Sequence, residues 1–297
     1  MIRCERATIE RSGRVVVEAL SITLEAGEAT ALVGPTGAGK SSWLAAMATA
    51  VPLHAGSMFV EGHCVRREAE AVRRAVGYVP DRLPSWPGLR AREFLELFAA
   101  VLPATARAGA VSRALDLAGL SADPAMPIEH LAAGQRKRLL LARALLHDPS
   151  VLLLDDPWGG LDPAERAGVE RLISDTHLMG RTVVAAIDDA VVPTCFTRLV
   201  VLSEGRLVTA GAAVPSAHAE GRAWRHLAIC RGSAETAAMV LAAHGAEARA
   251  IDADAVVFFV AAEKATVSGM VAALVQAGIE VEAVAFDPPW PAQLWGG

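Results

Sequence analysis

The chain has 297 residues, 53% of them apolar, and a formal net charge of -5 at pH 7. That length fits one large domain, or a domain of about 200 residues with a small companion. The acidic balance gives no ground for nucleic-acid binding. The cysteines Cys4, Cys64, Cys195 and Cys230 form no C-x-x-C pair and no metal-ligand spacing, so reduced thiols are expected. The opening "MIRCERATIE" is charged and lacks the apolar run of a signal peptide. The longest strongly apolar stretch, Ala255 to Ala262, is far short of the ~20 residues that span a bilayer. If the protein works at a membrane, another chain must do the spanning.

In chain order, "TALVGPTGAGKSSWLAAMA" reads as strand, glycine loop and helix. "AVGYVPDRLPSWPGL" is a short strand entering a Pro-rich loop, Pro80 to Pro87. Ala91 to about Leu120 has a helical pattern that Pro103 divides. "GQRKRLLLARALLHDP" predicts a helix ended by Pro149, and "SVLLLDD" and "RTVVAAIDD" predict buried strands. "RLVVLSEGRLVTAG" reads as a hairpin turning at Glu204-Gly205. This succession indicates a mainly parallel α/β sheet. The composition shifts over Ala210 to Gly221. A weak internal repeat of two βαβ units follows, which suggests a small ferredoxin-like α+β domain. The expected division is residues 1–212, with a helical subdomain at about 88–148, followed by residues 213–297.

"GPTGAGKS", Gly34 to Ser41, fits the G-x-x-x-x-G-K-[ST] phosphate loop between a strand and a helix. Its glycines let successive backbone N–H groups turn toward phosphate oxygens, and the helix starting near Lys40 adds its dipole. Gly34, Pro35, Thr36, Gly37, Ala38, Gly39, Lys40, Ser41 and Ser42 are the expected nucleotide contacts. Lys40 suits the β- and γ-phosphates, and the Ser41 hydroxyl suits Mg²⁺. Asp155, at the end of "VLLLDD", is the expected second metal residue.

Between these motifs lies "LAAGQRKRLLLARALLHDP". Here the chain resembles the ATP-binding subunits of ABC transporters. Over Ala29 to Gly211 it carries the family's order: Walker A, a Q-loop region at "GYVPD", a signature at Leu131–Gln135, Walker B at Val151–Asp156 and a D-loop at "GGLDP". The C-terminal repeat looks like the accessory domain of two-component exporters. The resemblance implies a P-loop ABC-type ATPase domain with a mixed sheet, binding ATP and Mg²⁺. It implies two such domains closing head-to-tail on two ATPs. Ala132, Ala133, Gly134, Gln135 and Asp162 would then meet the partner's nucleotide. It further implies a separate integral membrane permease and a peripheral, cytoplasmic position at the inner face of the membrane. An ABC protein acting on nucleic acid or ribosomes is disfavoured by the acidic balance and the lack of a basic run.

Several positions depart from the family pattern. The catalytic glutamate is Asp156, one methylene shorter, and misplacing a general base costs on the order of 10²–10⁴ in rate. Asp188 stands where the switch histidine is expected, and Asp81 where the Q-loop glutamine is. A carboxylate at residue 188 would repel a γ-phosphate unless protonated or bridged by a cation. At residue 81 it could still ligate Mg²⁺, or be a solvated loop acid. The signature reads "LAAGQ", so Ala132 lacks a hydroxyl and Ala133 adds a methyl. No aromatic precedes Walker A near Ser12 and Gly13, although Arg14 could stack through its guanidinium plane. The basic run Arg136 to Arg138 reads as a solvated first turn. Together these changes predict nucleotide binding with slow or absent hydrolysis, in a homodimer or beside a more active partner.

Overall fold

The computed structural model describes residues 1–34, 36–81, 86–187, 195–212, 224–230, 234–244, 246–250, 255–260, 267–279 and 281–286. In chain order the elements begin with β1 (Ile2–Arg11), β2 (Arg14–Leu24), β3 (Ala29–Val33), α1 (Lys40–Met47), β4 (Ala55–Val60), β5 (His63–Cys64), α2 (Ala69–Ala75) and β6 (Val76–Val79). They continue with α3 (Ala91–Ala99), α4 (Ala104–Arg107), α5 (Ala110–Ala118), α6 (Ala133–Leu145), β7 (Val151–Asp155), α7 (Pro163–Leu178) and β8 (Thr182–Ile187). Last come β9 (Arg198–Ser203), β10 (Arg206–Ala212), β11 (Trp224–Cys230), α8 (Ala234–Ala243), β12 (Glu247–Ala250), β13 (Ala255–Val260), α9 (Val267–Gln276) and β14 (Val281–Phe286). Two compact units result: Met1–Ala29 with Gly39–Ala186, and Thr30–Ala38 with Ile187–Gly297.

In the first unit an antiparallel sheet runs in the order β2-β1-β4-β5. Alternation builds it: Ile2, Cys4, Ala7 and Ile9 on β1 and Val17, Leu20 and Leu24 on β2 are buried, with polar residues between them. Ser12 and Gly13 both take positive φ, 50° and 75°, in the tight turn joining these strands. A second, parallel sheet is built from β6, β7 and β8. Leu152, Leu153 and Leu154 on β7 and Val183, Val184 and Ala185 on β8 are fully buried, the run of apolar residues that strands covered on both faces require. Gly77 on β6 is needed for close approach, because a Cβ there would stand 2.5 Å from the Ala144 carbonyl of α6.

The expected helical stretch is α3, α4 and α5, with Pro103 as N-cap of α4. Phe94 at its centre is fully buried and meets Phe98 and Trp86 edge-on, at centroid distances of 5.0 and 5.9 Å. Arg143 of α6 lies over the Phe98 ring at 5.2 Å.

In the second unit β3 pairs parallel with β9, and β9 pairs antiparallel with β10 through the expected turn at Glu204 and Gly205. Both turn residues have positive φ, 48° and 77°. The strands β11 to β14 form an antiparallel sheet in the order β12-β13-β11-β14, with α8 between β11 and β12 and α9 between β13 and β14. This is the βαββαβ, ferredoxin-like arrangement expected from the repeat. Among the described residues, no helix is long and apolar enough to cross a membrane.

Candidate functional site

The glycine loop joins the two units along the chain. On its second-unit side, Gly34 lies so close to β9 that a Cβ would stand 2.1 Å from the Leu202 carbonyl. Gly37 has φ +86°, and a Cβ there would meet nothing within 4 Å. Thr36 is exposed and Ala38 buried. On the first-unit side, Gly39 takes φ +97° and caps the start of α1, and a Cβ would stand 2.5 Å from the Val16 carbonyl of β2. Only glycine meets both demands at this position. Lys40 is buried, Ser41 exposed and Ser42 half-buried on the first turn of α1. Pro35 and Asp188 lie outside the described residues.

The Ser41 hydroxyl donates to Asp155 Oδ1 at 2.8 Å. Asp155 is 6% exposed at the end of β7. Burial pushes its carboxyl up from the ordinary range; the Ser41 hydrogen bond opposes that shift, as does Lys137, while Asp81 and Asp156 add to it. Beside it on β6, burial and then the Asp155 charge push the Tyr78 phenol up to about 12. A hydroxyl and a carboxylate held together are hard oxygen donors of the kind Mg²⁺ takes.

Asp156 occupies the left-handed region at φ +44°. Its N–H donates to the Ala186 carbonyl at 3.0 Å. Its carboxylate lies over Gly159: a Cβ on that glycine would stand 1.7 Å from Oδ2 and 2.8 Å from Oδ1. The second acid of Walker B is therefore folded onto the turn that follows it. Asp81 sits just past β6, with its side chain 46% exposed.

The expected solvated run at Arg136 to Arg138 is corrected at its middle position. The Lys137 side chain is 11% exposed, and its ammonium donates to the backbone carbonyls of Asp81 and Asp156 at 2.9 and 2.5 Å. The sequence placed Lys137 on the signature helix, but the partners come from two loops far away in the chain. Its scarcity was a signal, since lysine otherwise occurs only at Lys40 and Lys264.

At the start of α6, Ala132 is exposed, Ala133 half-buried and Gly134 buried. With no hydroxyl on Ala132, the Gln135 side chain accepts the Ala132 N–H at 2.9 Å. Gly134 donates its N–H to Glu165 Oε1 at 3.0 Å. Asp162 is the N-cap of α7 and accepts the Glu165 N–H at 2.8 Å. Glu165, which the sequence motifs did not single out, is thus brought onto the signature turn.

The family model described as "ABC transporter" matches residues 17–159. The chain is 33% identical over 208 residues to the Nod factor export ATP-binding protein I of Paraburkholderia xenovorans, covering 69% of this chain and 67% of that protein. It is 29% identical over 187 residues to the linearmycin resistance ATP-binding protein LnrL of Bacillus subtilis, with 62% and 60% covered. The matches span 60% of LnrL and 66% of the Burkholderia pseudomallei Nod factor export protein, less than two thirds of either. Among solved structures, a dimeric ATP-binding cassette in a post-hydrolysis state with ADP and Pi aligns at TM-score 0.64 and 22% identity, covering 71% of this chain and 98% of that one. The cbiO1 component of an ABC transporter complex from Clostridium perfringens aligns at TM-score 0.61 and 25% identity, covering 71% and 87%. From the glycine loop through the strand that ends in Asp155, the chain belongs to the ABC transporter family of ATP-binding proteins.

Proposed function

We propose that this chain is the ATP-binding subunit of an exporter, closing as a pair on Mg-ATP to drive a separate membrane permease, with slow hydrolysis. Residues 1–212 would form the ATP-binding domain and residues 213–297 the accessory domain. The observation that carries the reading is the hydrogen bond from Ser41, the last residue of the glycine motif, to Asp155. Mg²⁺ would take Ser41 and Asp155, and the N–H groups of residues 36–41 would take the phosphates. The named relatives that export Nod factor or confer linearmycin resistance support the transport assignment by likeness.

Slow hydrolysis is supported by Asp156. The shorter acid lies over Gly159, so it must leave that turn before it can serve an attacking water. Asp188 in place of a histidine and Ala132 in place of a serine act in the same direction. Pairing would be as a homodimer, or with a second ATPase subunit that supplies the missing groups. The placement of Asp156 also favours a second reading, a non-hydrolysing regulatory subunit in which ATP only fixes the closed pair.

ATP affinity and turnover of the purified chain, alone and with a candidate partner, test this. Lys40→Ala should lose nucleotide binding, and Asp156→Asn should leave binding intact. Any hydrolysis that Asp156→Asn removes separates the first reading from the second. Turnover of the wild-type chain near ~10 s⁻¹, a typical enzyme median, rejects slow hydrolysis. Failure to bind ATP rejects the whole assignment.

A further inference from the structure

Acidic residues close or follow both β6 and β7. Asp81 follows β6, Asp155 closes β7 and Asp156 follows it, and the two strands are parallel neighbours. Asp155 experiences both other carboxylates as like charges. Such a cluster at adjacent strand ends needs a counter-charge. Lys137 supplies it from α6. Its ammonium donates to the carbonyls of Asp81 and Asp156 and lies 3.6 Å from Asp81 Oδ1. Two N–H groups are thereby spent on backbone and the third is left for the acid side, which a compact tetrahedral ammonium can serve at once. The neighbouring Arg138 guanidinium lies instead against Gly119.

We infer that Lys137 is a positioning residue of the metal–nucleotide site, clamping the ends of β6 and β7 and holding the place of a cation between Asp81 and Asp155. The inference rests on the reading of Ser41 and Asp155 as the Mg-ATP site. Its consequence is selectivity in the order of binding. With an ammonium already among the acids, a bare divalent ion gains little there. An ion arriving with nucleotide brings phosphate oxygens as further ligands and negative charge to face the ammonium. The carboxylates then serve the metal only when nucleotide is present.

The test uses the full chain and Mn²⁺ as the probe, followed by its paramagnetic resonance with and without ATP. Wild type should bind Mn²⁺ at least tenfold more weakly without ATP than with it. Lys137→Gln should tighten nucleotide-free Mn²⁺ binding at least tenfold. Lys137→Arg should stay within threefold of wild type, and Asp81→Asn added to Lys137→Gln should reverse most of the gain. A purely structural lysine would lower the melting temperature without changing Mn²⁺ affinity in this pattern. The inference is overturned if Lys137→Gln binds Mn²⁺ no tighter than wild type, or if the arginine variant behaves like the glutamine one. Should Lys137→Gln not fold, wild type still decides: nucleotide-free Mn²⁺ affinity equal to that with ATP overturns it. ATP binding to wild type in the absence of metal is measured alongside. Failure of wild type to bind ATP with Mg²⁺ present as well would reject the nucleotide reading, while the nucleotide-free Mn²⁺ comparison would still judge Lys137.

Discussion

Glu165 of α7 accepts the N–H of Gly134 on the first turn of α6, at 3.0 Å. The same carboxylate takes part in the capping box of its own helix, where the Asp162 N–H points to Oε2 at 3.4 Å. One acid thus serves the starts of two helices. The reason is local: Ala132 has no side-chain oxygen to cap α6, so an amide that a serine would help satisfy needs an outside acceptor. Gly134 is also sterically required, since a Cβ would stand 2.9 Å from the Glu165 Cβ.

Glu165→Ala should therefore destabilise the first unit by about 1–3 kcal/mol, the cost of leaving a buried donor unsatisfied. Glu165→Gln keeps an acceptor and should cost less. Urea unfolding gives the sizes, and amide exchange over residues 131–138 should rise in the alanine variant. There is a functional counterpart. A carboxylate on this amide opposes any phosphate that approaches it, so Glu165→Gln should lower the ATP concentration at which the chains self-associate. An unchanged midpoint in sedimentation would argue against that competition.

Gly159→Ala should disturb the site through contact alone. The new Cβ would fall 1.7 Å from Asp156 Oδ2, so the acid must swing away or the turn must shift. Overpacking of this kind costs about 1–3 kcal/mol. ATP affinity should hold within a few-fold, because Ser41 and Asp155 are untouched, while turnover should change. If turnover and the melting temperature both match wild type, the acid does not rest on the glycine.

Phe94→Ala should loosen the helical stretch by about 3–5 kcal/mol, as large-to-small changes at fully buried aromatics do. The loss should exceed that of Phe98→Ala, because Phe98 is only half-buried. Chemical denaturation of both variants gives the comparison.

The glycine loop, the run into Asp155 and the ferredoxin-like repeat were legible because each is a contiguous pattern: a phosphate loop between strand and helix, a leucine run, and two βαβ units. The β1–β2 hairpin is encoded by the Ser12-Gly13 turn between alternating runs, a signal that carries no chemical motif. Lys137 was legible only as a rare lysine, without its contacts, and Glu165 was not legible. Their partners, Asp81, Asp156 and Gly134, lie on other segments, and nothing in a linear pattern tells a lysine of a helix's first turns to bend inward rather than into water. For Asp156, the identity of the acid is legible in one dimension, but the side-chain direction that decides its chemistry is not.

Acid sensitivity should come in part from His147. It follows α6, half-buried, and its Nε2–H donates to the Val76 carbonyl of β6 at 3.1 Å. Burial holds its pKa below the ordinary 6.5. Arg143 acts in the same direction, while the Val76 hydrogen bond and Asp148 oppose the shift. Between the folded and unfolded pKa values the unfolded chain binds more protons, so stability rises with pH across that window. Lowering the pH from 7 should leave stability level until about 6.5, then reduce it until the folded pKa is passed. His147→Gln keeps a donor but cannot take up a proton. It should be less stable than wild type at pH 7, through lost packing, and the gap should narrow by pH 5. Melting temperatures of the two chains across that range check the sign, and a gap that widens on acidification would rule it out.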